Sequence, residues 1–204
     1  MIELSELQHD ALVEIFNIGV GHAAAAMSTM VNEEVALTVP TITFATRAEA
    51  ARQLGEQAND RICGVSQDYR GSFNTEAILM FPEHKSLELV SLMVGDHIPL
   101  QELTEMEQEA MGEIGNIILN ACIGTLADMF ESQLEGSLPV YRVGTCEDVL
   151  NVSGSDADAP TLMLHIDFIV EKHAISGYVA FLLDLAALQD LRDQLDAYLE
   201  KALG

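Results

Sequence analysis

Apolar residues recur at helical spacing in two long stretches of the chain. Leu7, Ala11, Ile15 and Ile18 lie 4, 4 and 3 positions apart, as do Met106, Ala110, Ile114 and Ile117. At 3.6 residues per turn each set forms one stripe, expected to face the core. Ser5 with Gln8 and Thr104 with Glu107 each place a hydroxyl three residues ahead of Gln or Glu. That is a capping box, which satisfies the free amides of a helix start, so both helices are expected to begin at the same relative point. Each then runs on through small residues, 21–26 and 121–127, and is followed by a β-branched stretch broken by proline, 35–40 and 138–143. Residues 75–81 and 176–181 read as strands, each followed by a helical pattern, 87–94 and 185–203.

The two series superimpose at an offset of 99 residues, so the chain is a repeat of itself. The halves are about 1–98 and 99–204, with residues 96–99 as the seam and 154–160 as an exposed loop. Each half has few strands and alone would leave a hydrophobic face bare. The expected fold is therefore α+β with internal pseudo-twofold symmetry: two long helices packed on one side of a shared β-sheet, with 1–204 forming a single domain.

Composition narrows the function. The chain has 204 residues, 49% of them apolar, enough to bury a core. Nine Lys and Arg against 33 Asp and Glu give a formal charge of −24, which repels phosphate backbones and anionic lipid. Nucleic acid and membrane are not expected partners. Met1 to Glu6 show no basic segment leading into an apolar one, and the expectation is a soluble cytoplasmic protein. Cys63, Cys122 and Cys146 are far apart and read as buried thiols. The six histidines form no H-E-x-x-H or Glu-x-x-His pattern, so no bound metal is expected. The nucleophile-elbow, phosphate-loop and dinucleotide fingerprints are absent too.

Beside the apolar stripes lies a duplicated polar trio. Asp10, Glu14 and Asn17 are spaced by 4 and 3, like Glu109, Glu113 and Asn116, which confines each trio to about 60° of helical arc. Gly21 and Ala24 make the next turn of that face in the first helix, and Asn120 and Ile123 in the second; Gly21 leaves room for a partner to approach. Asparagine inside a helix costs a few tenths of a kcal/mol relative to Ala, so its recurrence asks for a reason. Solvation of an exposed face is the plain one. Against it stands a third element: 22 residues separate Asn17 from Pro40, and 22 separate Asn116 from Pro139.

With these residues the sequence resembles the CheC, CheX and FliY family of chemotaxis phosphatases, whose signature is Asp or Ser, three residues, Glu, two residues, Asn, 22 residues, Pro. The resemblance covers the whole chain, and two such halves match the CheC layout. Glu109 departs from it, standing where the pattern has Asp or Ser. The resemblance implies dephosphorylation of the phospho-aspartate of a CheY-like response regulator whose own Mg²⁺ and lysine sit beside the phosphoryl group. This chain itself would bind no cofactor.

The side chains suit that chemistry. An amide cannot act as a base near neutral pH, but its hydrogen bonds can fix a water in line with phosphorus, the role assigned to Asn17 and Asn116. Glu14 and Glu113, about 5 to 6 Å away between Cβ atoms, would contact the regulator's lysine, with Asp10, Glu109 and Gly21 in the docking surface. Ordering of this kind is worth about 10²-fold, or roughly 3 kcal/mol of barrier. Pro40 and Pro139 are expected to set the path into the next strand. Two alternatives stay open: a non-catalytic adaptor for a response regulator or a CheD-like receptor deamidase, and a carboxylate metal site across the pseudo-twofold axis.

Overall fold

A computed structural model describes residues 4–31, 34–58, 61–94, 100–152, 157–170 and 173–203. The first half contains α1 (Glu6–Val31), β1 (Val35–Thr46), α2 (Arg47–Ala58), β2 (Arg61–Gly71), β3 (Thr75–Pro82) and α3 (Glu83–Val94). The second contains α4 (Leu100–Met129), β4 (Leu134–Gly136), β5 (Val140–Thr145), α5 (Cys146–Val149), β6 (Pro160–Val170), β7 (His173–Leu182) and α6 (Leu185–Leu203). The seam at 96–99 and much of the loop at 154–160 lie outside the described residues.

All seven strands form one antiparallel sheet in the order β1-β6-β7-β3-β2, with β4 and β5 both on the free edge of β2. The halves exchange strands. β1 of the first half pairs with β6 of the second, and β4 and β5 of the second pair with β2 of the first. The registers mirror each other: Thr41 opposite His165 corresponds to Val140 opposite Ser66, and Val35 opposite Val170 to Leu134 opposite Gly71. Flanking helices cross over in the same way, α3 against α4 and α6 against α1. This is the α+β fold expected, with both long helices on one face of a shared sheet.

The main core lies between that face and the helices. Leu162, Leu164, Ile166 and Phe168 of β6, with Val179 and Phe181 of β7, alternate inward and meet Leu12, Phe16 and Val20 of α1. Phe16 stacks on Phe181 at 5.3 Å between centroids. Cys63, Val65, Leu79 and Phe81 do the same beneath Met111, Ile118 and Cys122 of α4. Where α1 and α4 cross, a side chain at Gly19 would meet Ala121 O and Cys122 Cα, both at 3.1 Å, so the glycine permits the close approach. A smaller cluster, including Ile78, Met80 and Met163, fills the other face under α2 and α5. By length and hydropathy α1 and α4 each contain a span-like stretch, but 50% and 56% of it is buried inside the fold.

Two expectations about the helices need correction. The core-facing residues of α1 are Ala11, Leu12, Ile15, Phe16, Val20, Ala23, Ala24 and Met27, whereas Leu7 and Ile18 are exposed; in α4 Met106 is exposed and Ile117 half-buried. These helices carry apolar residues on more than one face, and the stripe of Leu12, Phe16 and Val20 took the core. The Ser5–Gln8 capping box forms, with Gln8 N–H donating to Ser5 Oγ at 3.2 Å and Ser5 N–H to Gln8 Oε1 at 2.8 Å. The second helix does not start at the matching point: α4 begins at Leu100, so Thr104 lies inside it. Glu107 instead takes bonds from the hydroxyls of Ser86 and Tyr141, tying α4 to α3 and β5.

Candidate functional site

Asp10, Glu14 and Gly21 are exposed along the outer face of α1 and Glu109, Glu113 and Asn120 along that of α4, with Asn17 and Asn116 half-buried at the edge of each row. Ala24 and Ile123 turn into the core and leave this face. A side chain at Gly21 would meet nothing within 4 Å, so the surface there is open. Exposed Leu7 and Ile18 lie beside the carboxylates of α1, and exposed Met106 beside those of α4. The result is two acidic helix faces with apolar borders.

The two amides differ in their surroundings. In β1 the pairing with β6 breaks between Thr38 and Thr41, which frees Val39 and Pro40 from the ladder. Proline has no N–H to give and is tolerated there. Asn17 fills the gap: Val39 N–H donates to its Oδ1 at 3.0 Å, while its Nδ2 donates to Val39 O at 3.3 Å and Val13 O at 2.8 Å. Both N–H donors of Asn17 are therefore committed to backbone. The spacing from Asn to Pro corresponds to a strap from α1 to the strand bulge.

In the second half the matching break is wider, running from Gly136 to Val140 around Pro139, and Leu138 is 85% exposed. Asn116 makes no strap there. Its Oδ1 accepts from Gln67 Nε2 at 3.2 Å and from Asn120 Nδ2 at 2.7 Å. Gln67 also donates to Ser137 O at 2.8 Å, so β2 holds both the amide and the displaced strand segment. Tyr69 Oη lies 2.9 Å from Asn120 Oδ1 and 3.1 Å from Gln67 Oε1, and burial pushes its phenol pKa up, keeping it protonated.

Packing explains why the halves differ. A side chain at Gly115 would come within 2.4 Å of Val65 Cγ1, so α4 lies directly on β2 and brings Asn116 within reach of Gln67. At the first site the corresponding residues are Phe16 for Gly115, Ile166 for Gln67, Phe168 for Tyr69 and Gly21 for Asn120. None of these can bond an amide side chain. Gln67, Tyr69 and Asn120 escaped the sequence reading as site residues; the available signal, a polar side chain at each where the aligned residue is Ile, Phe or Gly, is one mismatch among many between the halves.

A cavity of about 690 Å³ opens on the opposite face of the sheet, lined by Leu54, Met80, Met163, His165, Tyr178 and Lys85 among others, and touches none of these residues. Among the described residues no group of three His, Cys, Asp or Glu could hold a metal ion. The helix faces form an open surface, which can meet another macromolecule, and offer positioned amides and carboxylates.

The CheC-like family model matches residues 7–43. The CheY-P phosphatase CheC of Bacillus subtilis is 27% identical over 139 residues, 67% of this chain and 66% of CheC. The flagellar motor switch phosphatase FliY of the same organism is 25% identical over 156 residues, 76% of this chain and 39% of FliY. The chain thus spans just under two thirds and about two fifths of these relatives. Among solved structures, Thermotoga maritima FliY matches with a TM-score of 0.79 at 16% identity, covering 97% of this chain and 100% of that one. A chain of the CheX-CheY-BeF3-Mg²⁺ complex from Borrelia burgdorferi matches with a TM-score of 0.51 at 16% identity, covering 85% and 97%. These structural matches establish a shared fold.

Proposed function

We propose, from the premise that this chain is a relative of CheC and FliY with the same fold, that it accelerates dephosphorylation of the phospho-aspartate of a CheY-like response regulator. The observation carrying this reading is the duplicated pair of an exposed Glu one turn ahead of a half-buried Asn, Glu14 with Asn17 and Glu113 with Asn116. The names of CheC and FliY and the CheX complex with CheY support it.

An acyl phosphate hydrolyses unaided once a water is in line, and the regulator supplies its own Mg²⁺ and lysine to the developing charge. This chain adds order. An N–H donated to a water occupies one lone pair and leaves the other for phosphorus. Glu14 and Glu113 meet the regulator's lysine, Asp10, Glu109 and Gly21 form the contact surface, and the apolar borders bury area around the charged contact. The bulge at Pro40 and the break at Pro139 set the strand next to each amide. Such an encounter takes place in the cytoplasm.

One observation favours a binding module instead at the first site. The Asn17 strap to Val39 gives that asparagine a structural use, and a protein using only its acidic faces would dock a regulator or a CheD-like deamidase without turnover. Steady-state decay of a phosphorylated CheY-like protein separates the two. Glu14→Ala with Glu113→Ala is expected to raise KM, and Asn116→Ala to lower kcat. An unchanged kcat in Asn116→Ala, with binding intact, would refute water positioning at the second site.

A further inference from the structure

We propose that Gln67, Asn120 and Tyr69 are positioning residues that preset the Asn116 amide with its two N–H donors toward the approaching substrate, and that this makes the second site the faster of the two. The inference rests on the phosphatase reading for its consequence in rate, but not for the orientation itself.

The orientation follows from a chain of hydrogen bonds anchored at a backbone atom. Ser137 O can only accept, so the Gln67 side-chain atom 2.8 Å away is the Nε2 donor. The same Nε2 lies 3.2 Å from Asn116, which must turn its oxygen to it. That oxygen fixes Asn120 in turn: its Nδ2 donates to Asn116 at 2.7 Å and leaves Oδ1 facing the Tyr69 hydroxyl at 2.9 Å. Reversing any one amide would set two acceptors or two donors against each other. Gln67 and Tyr69 are buried, so water cannot readily substitute for them. With both lone pairs of Oδ1 taken, the Asn116 nitrogen has no hydrogen-bond partner among the described residues and remains available to substrate.

The first site lacks every member of this arrangement. Ile166 stands for Gln67, Phe168 for Tyr69 and Gly21 for Asn120, and Asn17 gives both N–H donors to Val13 O and Val39 O. It must release a backbone bond before it can donate to a water. Asn116 need release nothing.

The test uses the full chain with Glu14→Ala as background, an exposed change that silences docking at the first site. Into it go Gln67→Ile, which copies the first site, and Asn120→Ala. Each is expected to lower kcat for decay of the phosphorylated regulator by about 10- to 10²-fold, the cost of a misaligned reacting group, with KM unchanged. Thermal unfolding checks that each variant is folded; should Gln67→Ile fail to fold, Asn120→Ala and Tyr69→Phe carry the same test. Unchanged kcat in these variants would overturn the proposal, as would a loss confined to KM. A second arm reads orientation without activity: in side-chain amide NMR spectra, assigned with the Asn17 and Asn116 variants, the Asn116 protons should exchange with water faster than those of Asn17. The reverse order would also overturn it. A wild-type protein that leaves regulator decay unchanged refutes the phosphatase reading and the claim of a faster site together, while the NMR arm still decides the orientation.

Discussion

Replacing Asn17 by alanine should destabilise the protein, contrary to what an exposed helical asparagine would do. Alanine is the better helix former by roughly 0.5 kcal/mol, so on a solvated face the change would be neutral or favourable. Here the side chain makes two bonds to Val39, at 3.0 and 3.3 Å, where the strand ladder is broken. Each is worth about 1 kcal/mol net. The third bond, to Val13 O, adds little because that carbonyl keeps its helical partner. The balance is a loss of about 1.5 kcal/mol, rising toward 3 if the polar groups of Val39 find no water. At this chain length a loss of 1.5 kcal/mol lowers Tm by about 3 to 6 °C. Asn116→Ala should cost less, about 0.5 kcal/mol, because exposed Asn120 finds water and buried Gln67 loses one bond but keeps Ser137 O. Urea unfolding followed by circular dichroism, with wild type and both variants at one pH, gives the comparison. An Asn17→Ala variant as stable as wild type, or more so, would refute the strap.

Other consequences can be checked separately. Gly115→Ala drives a Cβ to within 2.4 Å of Val65 and should cost about 1 to 3 kcal/mol by overpacking, read by the same urea titration; a variant within 0.5 kcal/mol of wild type would contradict the close seating of α4. Burial pushes the thiols of Cys63 and Cys122 up to about 12, so a disulfide reagent at pH 8 should label them only as fast as the chain opens, and a rapid phase from either would show the packing wrong. Glu49 and Asp148 cap α2 and α5 through Thr46 and Thr145, whose hydrogen bonds lower both carboxyl pKa values below the ordinary 4.5 and 3.8. The folded state therefore holds these protons less tightly than the unfolded one, and the caps stabilise above the ordinary values and lose effect as pH falls through the depressed ones. The stability advantage of wild type over Glu49→Gln and Asp148→Asn should shrink between pH 6 and 3; a constant difference would remove the carboxylates from the account.

The sequence made the repeat legible because its two halves keep the same helix and strand order over the whole chain. Helical periodicity found α1 and α4, and the β-branched runs found β1, β3 and β7. It missed β2, where Gly64, Ser66 and Gln67 are buried although small or polar, and α2, a helix of 12 residues whose polar composition hides a short apolar face of Ala50, Ala51 and Leu54. Exchange of strands between the halves is a long-range pairing that periodicity does not encode. The exposed row of Asp10, Glu14, Glu109 and Glu113 was legible from spacing alone. The different partners of the two asparagines were not, because they depend on which residue β6 or β2 presents beneath the helix, and the repeat draws attention away from Gln67, Tyr69 and Asn120, where it fails.

The central claim, that amides on paired acidic helices speed hydrolysis on a docked regulator, is tested most directly by one measurement: the decay of a phosphorylated CheY-like protein in the presence of wild type and of the Asn17→Ala, Asn116→Ala double variant, with binding measured for each. The account predicts decay about 10²-fold faster with wild type than without it, and a double variant that binds yet leaves the regulator near its own rate. A wild-type protein that binds the phosphorylated regulator and leaves its lifetime unchanged would contradict the account and make this chain an adaptor.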